Sequence, residues 1–361
     1  MRFSGWLYKG RGDSDLPMTG SIYSGPWGRT GLTLLVACVG AVLAWMLRAP
    51  IYLLTGPAVA VSVAGLAGLR VQVHPRFREV CFVVLGLTVG AGFSAQALDT
   101  MIRWPLAFVV MAVLTWGTMV TSRAVLVRYF GYTPQSALLA GAPGHLSFVI
   151  AMAESAGNNV MRVSVTQSVR LLLLTLVVPF IAVAMGVDLS GAILPQGAVW
   201  PLWVLGALTV LSVVASVVLK RWNVPAPLLI GAMLVAGVWQ LSGVRDGVMP
   251  AYLVMPAYVA LGALIGTRFA GVTARALMHN LAAGLAITAA AVVLSAVGAV
   301  AVAWALAMPA NHVLLAFAPG GLETMIAMGV VMGAVPGFVA ACHMTRLMVL
   351  SVLLPVMAGR R

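Results

Sequence analysis

The sequence predicts an all-α polytopic membrane protein with two homologous inverted repeats, each of about five transmembrane helices plus one re-entrant hairpin broken at a Pro-Gly pair. The first observation is composition: the 361 residues are 62% hydrophobic and 8% charged, and the mean hydropathy is +1.05. These values are typical of membrane proteins and lie outside the range of soluble domains. The second observation is an internal duplication, and the third is the placement of Lys and Arg.

The duplication is clearest where residues 142–179 recur as residues 318–355. At a constant offset of 176 residues, the two segments match at 13 of 38 positions without a gap. The matches include residues that are unusual in apolar sequence, namely Pro143, Gly144 and Arg170 in the first copy and Pro319, Gly320 and Arg346 in the second. Proline removes a backbone donor, and an arginine at mid-membrane costs roughly 2.5 kcal/mol or more. We therefore expect these positions to form a site.

Four regions follow from the composition along the chain. Residues 1–29 are rich in Gly, Ser, Pro and charge, and we predict a disordered cytoplasmic tail there. Residues 30–186 are the first membrane repeat, and residues 198–358 are the second. Residues 187–197 connect them.

Each repeat contains six apolar stretches, and each stretch is close to the roughly 20 residues needed to cross the hydrocarbon core. The stretches lie near 30–48, 51–69, 79–98, 104–127, 134–157 and 164–186, and near 198–219, 225–243, 252–270, 279–307, 311–333 and 336–358. Gly86 and Gly90 occupy positions equivalent to Gly262 and Gly266. Their Gly-xxx-Gly spacing predicts close helix packing.

The basic residues determine the predicted topology. The net charge of +13 would favour nucleic acid in a soluble protein, but here the basic residues lie in short connections between apolar stretches. If all twelve stretches crossed the membrane, 12 basic residues would lie inside and 7 outside. If the fifth and eleventh entered and left by the same face, the counts would be 16 and 3. The second arrangement fits the positive-inside rule, and it inverts the second repeat relative to the first. We therefore expect a protein of the bacterial inner membrane with both termini on the cytoplasmic side.

In this topology the two Pro-Gly breaks approach each other near the bilayer midplane, because broken helices are tolerated only where they line a cavity or are covered by protein. A simple helix kink is the alternative explanation of each pair. The candidate substrate-binding residues are Pro143, Gly144, Ser147, Gln167 and Arg170 from the first repeat, and Pro319, Gly320, Glu323, His343 and Arg346 from the second.

The candidate polar residues allow more than one role. Arg170 and Arg346 lie about ten residues into their stretches, roughly 15 Å deep. They either supply positive charge for an anionic substrate or bind the carbonyl groups of the broken helices. Glu323 replaces Ser147 of the first repeat, and such a carboxylate either pairs with an arginine or carries a proton. Both roles of Glu323 suit an ion-coupled carrier.

Each repeat contains the pattern APG-x-L, which is followed by a Met, a Gly and Gln/His-x-x-Arg, and then by an apolar run that ends in Pro. This doubled pattern resembles the bacterial AbrB-type membrane proteins, and the resemblance covers roughly residues 30–358. That family is unrelated to the small DNA-binding regulator that shares its name. Its members are labelled ammonia monooxygenases or regulators of gene expression, and neither label implies an established activity. The first copy departs from the family pattern, because Phe148 stands where a glutamate is expected and Asn158-Asn159 replaces Ala-Asp.

The functional labels can be tested against the residues. The five histidines and three cysteines show no metal-ligand spacing, so we expect no enzyme activity, no metal and no cofactor. A nucleic-acid-binding module would not fit in the tail or the short connections. We therefore expect a secondary carrier for a small polar or anionic solute, coupled to H⁺ or Na⁺. The alternative is a membrane sensor that acts indirectly on gene expression. The expected partners are the lipid bilayer and the solute, and assembly with a second copy is left open.

Overall fold

The computed structural model describes residues 25–93, 104–144, 146–155, 157–187, 189 and 197–359. These residues form fourteen α-helices and one three-residue 3₁₀ helix, and none of them lies in a β-strand. The all-α class is therefore confirmed. The tail was predicted over residues 1–29, and residues 1–24 of it lie outside the described residues. Residues 26–29 belong to the first helix, which begins at Pro26, a favourable first residue of a helix. Most of the predicted connection at 187–197 also lies outside the described residues.

Seven helices come from each half of the chain. The first half contains α1 (Pro26–Met46), α2 (Tyr52–Leu66), α3 (Pro75–Gly90), α4 (Trp104–Phe130), α5 (Pro134–Gly141), α6 (Leu146–Ser155) and α7 (Val160–Ala184). The second half contains α8 (Leu202–Arg221), α9 (Pro227–Leu241), α10 (Ala251–Gly266) with its 3₁₀ extension (Thr267–Phe269), α11 (Ala274–Leu306), α12 (Ala310–Phe317), α13 (Leu322–Val331) and α14 (Pro336–Gly359).

The helix bounds follow the offset found in the sequence. Both ends of α3 and α10, of α5 and α12, and of α6 and α13 differ by 176 residues, and both ends of α2 and α9 differ by 175. The backbone before α2 and α9 is also alike, since Ile51 (φ 49°) and Ala226 (φ 46°) both adopt the left-handed conformation that non-glycine residues rarely take. Local structure thus repeats with the sequence, while the inverted orientation of the second half stays a prediction.

Seven helices of the described part of the chain are long and apolar enough to cross a membrane: α1, α4, α7, α8, α10 with its extension, α11 and α14. The chain is therefore a polytopic membrane protein. Three of the ten predicted crossings correspond to helices shorter than the predicted stretches, because α2, α3 and α9 have 15, 16 and 15 residues. They cover only about 22–24 Å of a core of about 30 Å. Gly68 (φ 91°) and Gly243 (φ 65°) follow the early ends of α2 and α9.

The fifth and eleventh stretches are each broken into two half-helices that fold back on each other. In the first half, Ser136 at the start of α5 donates a 2.7 Å hydrogen bond to Asn158, which follows the end of α6. In the second half, Leu315 of α12 lies beside Gly329 of α13. The two hairpins, α5–α6 and α12–α13, therefore turn at the Pro-Gly pairs. Their half-helices of 8 and 10 residues cover only about 12–15 Å, which is about half the length of a full crossing.

The helices form two groups. The scaffold group contains α1–α3 and α8–α10, and the most extensive contacts between its two halves join α3 to α9 and α2 to α10. A Cβ atom on Gly86 would overlap the carbonyl oxygen of Leu229, and one on Gly262 would overlap that of Leu54. The close packing predicted from the Gly-xxx-Gly spacing is confirmed. The hairpin group contains α4–α7 and α11–α14, and it meets the scaffold group through α7 and α13.

Candidate functional site

A cavity of about 220 Å³ lies where the turns of the two hairpins meet. Eight of the ten candidate residues line it: Pro143, Gly144, Gln167, Arg170, Gly320, Glu323, His343 and Arg346. Pro319 instead lines a narrow space of about 10 Å³ behind Arg346. Ser147 belongs to α6, but its side chain is outside the part of the chain that the structure describes. The fold thus brings residues from both halves of the sequence to one cavity.

Arg170 binds the end of its neighbouring half-helix. Its two terminal nitrogens donate hydrogen bonds to the carbonyl oxygens of Gly141 (3.1 Å) and Ala142 (2.7 Å), at the end of α5. Gln167, one turn earlier on α7, donates to the carbonyl of Leu139 at 2.7 Å. The last carbonyl groups of a helix have no partner within the helix and carry a partial negative charge. The guanidinium and the amide supply those partners.

Arg346 does the same in the second half. Its terminal nitrogens donate to the carbonyl oxygens of Ala318 (2.8 Å) and Phe317 (2.7 Å) at the end of α12, and one of them also contacts the sulfur of Met111 at 3.4 Å. His343 departs from the symmetry, because its Nδ1 contacts the carbonyl of Val339 in its own helix at 3.0 Å. Of the two predicted roles for these arginines, carbonyl binding is therefore present in both halves.

Two polar atoms at the cavity wall lack partners. The Nε of Arg170 and the Nε2 of His343 are buried without a hydrogen bond in the described part of the chain. Both side chains are almost completely enclosed, at 1% and 2% exposure. Buried polar groups in folded proteins nearly always have a partner, so these two atoms are unusual, although both are shielded from the cavity space. Among the described residues, no three His, Cys, Asp or Glu side chains are grouped closely enough to hold a metal ion.

Arg268 also lines the cavity, and it was not among the predicted site residues. It belongs to the 3₁₀ helix after α10, and the charge of Glu323 acts on its guanidinium. Arg268 was not singled out from the sequence, because it lies at the end of the apolar stretch near 252–270 and was counted only among the 16 basic residues predicted on the cytoplasmic side. A signal was present, because Gly266 and Phe269 repeat Gly90 and Phe93 of the first half, whereas Arg268 replaces a glycine within that repeated motif.

The cavity has a positive electrostatic character. Arg170, Arg268 and Arg346 contribute three positive charges, and Glu323 contributes one negative charge. The carboxyl ends of α5 and α12 carry about half a negative charge each, and the amino ends of α6 and α13 carry about half a positive charge each, so these contributions cancel. The remaining charge of about +2 favours an anion in the cavity.

A second cavity, of about 480 Å³, shares Ala226 and Glu323 with the first. It continues along α3 and α8 to three further charged residues, Arg78, Glu79 and Lys220. Glu323 therefore stands between the central cavity and a wider space on the side of α3 and α8.

Comparison with known proteins gives three matches. The sequence model of the family described as "Transition state regulatory protein AbrB" matches residues 53–360, which include both hairpins. "Uncharacterized protein YhjN" of Bacillus subtilis (strain 168) is 26% identical over 351 residues, or 90% of this chain and 84% of that protein. "Putative regulator AbrB" of Escherichia coli (strain K12) is 25% identical over 250 residues, or 67% of this chain and 70% of that protein.

Proposed function

This chain belongs to the AbrB family, and we propose that it is a secondary transporter that carries a small polar solute, preferably an anion, through the cavity between the two hairpins. The proposal includes the inverted orientation of the two repeats, a bacterial inner-membrane location and cytoplasmic termini. The 16-to-3 distribution of basic residues supports this orientation.

One observation carries the proposal: a positively charged cavity is lined by broken helices from both halves of a duplicated membrane protein. Secondary transporters commonly bind solutes near the bilayer midplane, between repeats whose discontinuous helices leave backbone groups free for binding. Here Arg170 and Arg346 each donate hydrogen bonds to two backbone carbonyl groups at the breaks. The N–H groups at the start of α13 and the charge of the arginines favour an anion.

Glu323 is the proposed site of ion coupling. It occupies the first turn of α13, is partly buried, and forms no ion pair within 4 Å in the described part of the chain. Charged or titratable residues surround it from several elements: Arg78 and Glu79 on α3, Lys220 on α8, Arg268 after α10, Arg170 on α7, and His343 and Arg346 on α14. A carboxylate that is not committed to one arginine is suited to bind H⁺ or Na⁺ together with the solute.

The printed name of the Escherichia coli relative favours one alternative, a membrane regulator that binds the solute without moving it. Such a regulator would use the same cavity. Any effect on gene expression would then be indirect, because the described chain consists of membrane-type helices joined by short connections.

Transport can be tested in proteoliposomes with labelled inorganic phosphate and a series of small mono- and dicarboxylates. A metabolite comparison of deletion and overexpression strains would extend this series. We expect accumulation of at least one solute to depend on protein and to increase when a pH or sodium gradient is imposed. Liposomes without protein serve as the control. Binding in detergent without uptake would identify a sensor, and the absence of both would contradict both functions.

A further inference from the structure

We infer that Arg268 is the residue that recognises the solute, and that the group it binds is an oxyanion, either a carboxylate or a phosphate. The inference rests on the proposed function and assigns its substrate class. It also separates the three arginines of the cavity into two kinds. Arg170 and Arg346 hold the hairpins, and Arg268 binds the solute.

The hydrogen bonds of the three side chains differ. Both terminal nitrogens of Arg170 and of Arg346 already donate to backbone carbonyls. Arg268 makes no hydrogen bond and no ion pair within the described residues. A guanidinium has five N–H donors in a planar fork that matches the two oxygens of a carboxylate or phosphate group. Among the three arginines of the cavity, only Arg268 has both terminal nitrogens free of hydrogen bonds to the described residues.

Accessibility separates the arginines in the same way. Arg170 and Arg346 are 1% and 3% exposed, whereas Arg268 is exposed to solvent although protein surrounds much of its side chain. Its backbone is held in place, because Phe269 beside it is buried and the N–H of Ala270 donates to the carbonyl of Thr267 at 3.1 Å. Arg268 is thus an accessible cation at the cavity wall, carried by a backbone segment that is held in place.

The carboxylate of Glu323 would compete with a solute oxyanion for the guanidinium of Arg268. The carboxylate interacts with the guanidinium through space but does not form an ion pair within 4 Å. It also lies on the other helix group, because α13 belongs to the hairpin group and Arg268 to the scaffold group. An entering oxyanion would replace Glu323 as the nearest negative charge to Arg268. Removing the charge of Glu323 should therefore strengthen anion binding.

Arginine-selective labelling with phenylglyoxal, mapped by mass spectrometry on the purified full-length protein, tests the assignment. Arg268 should be modified, and Arg170 and Arg346 should be protected by burial and by their hydrogen bonds. Inorganic phosphate or one of the carboxylates used for uptake should slow modification of Arg268 at least about fivefold. If none of these anions slows it, or if they protect only other arginines, the assignment is wrong.

Variants provide the second arm of the test. The anion that protects Arg268 should stabilise the wild-type protein and R275Q against heat. R275Q is the matched control, because Arg275 is exposed, lies seven residues away at the start of α11 and lines neither cavity. The same anion should bind R268K at least about tenfold more weakly and should not stabilise R268Q. Circular dichroism and size exclusion establish that each variant is folded.

The outcomes of the two proposals are distinguishable. Wild-type affinity in R268Q would overturn the role of Arg268, even if the protein transports the anion. Protection of Arg268 without uptake would support oxyanion recognition and contradict transport. Phosphate and the carboxylates are tested separately. The anion that slows phenylglyoxal modification of Arg268 therefore identifies the class of oxyanion.

Discussion

Replacement of Arg346 by alanine should destabilise the protein in proportion to the contacts that the arginine makes. The substitution removes two hydrogen bonds from a charged donor to the carbonyls of Phe317 and Ala318. Hydrogen bonds to charged groups contribute about 1.5–3 kcal/mol each, which gives about 3–6 kcal/mol for the pair. This loss is a large part of a typical stability of about 5–15 kcal/mol. Water entering from the cavity can satisfy part of the freed carbonyls, so we expect the lower end of the range.

Thermal unfolding in detergent, followed by tryptophan fluorescence, measures this effect. We expect the midpoint for R346A to fall by about 5 °C or more, with normal membrane insertion and loss of solute binding. R346K should be intermediate, because lysine keeps the charge but lacks the planar fork. R275A is the surface control and should unfold like the wild type. If R346A has both the wild-type midpoint and wild-type binding, the carbonyl contacts contribute nothing and the argument from the broken helices is wrong.

Three further predictions concern other parts of the molecule. Reporter fusions within 156–159 and 195–198 should report cytoplasm and periplasm respectively, whereas the opposite result at both points would restore twelve crossings and remove the inverted repeat. Glu323→Gln should fold and bind the solute at least as tightly as the wild type but should lose gradient-driven accumulation; accumulation at the wild-type rate in proteoliposomes would make Glu323 a structural residue. Gly262→Val should lower the thermal midpoint by several degrees because its side chain would meet the backbone of Leu54, and an unchanged midpoint would show that the scaffold helices can separate at little cost.

The hairpins were predictable because their signals are local. A Pro-Gly pair marks each turn, and the duplication and the charge distribution both identify the fifth and eleventh stretches as unusual. The role of the arginines was less accessible. Arg170 and Arg346 bind carbonyls 28 and 29 residues earlier in the chain, and a sequence pattern does not distinguish a guanidinium that binds backbone from one that faces a solute.

Two other features depended on tertiary structure. The lengths of α2, α3 and α9 were overestimated, because the apolar sequence extends beyond the ends of these helices into the turns and flanking residues. Arg268 was counted only as a cytoplasmic basic residue, because it lies at the end of an apolar stretch, where basic residues usually face the cytoplasm. Its place at the cavity depends on how the scaffold group packs against the hairpin group, and no local pattern contains that information.

The division into two helix groups has a mechanical consequence. Within the scaffold group, helices from the two halves meet at glycines with no room for a Cβ atom, so these helices cannot slide past one another without separating. The carbonyl bonds of Arg170 and Arg346 lie wholly within the hairpin group and would survive a rigid-body displacement of that group. Arg268 lies on the opposite side of the boundary. A shift of one helical turn, about 5 Å, would take the hairpins and a bound oxyanion out of reach of its guanidinium. Such a step would also have to break the 2.9 Å hydrogen bond from Tyr258 of α10 to the carbonyl of Ala327 of α13. A solute bound by Arg268 would lose that contact in the displaced position, so its affinity would differ between the two positions.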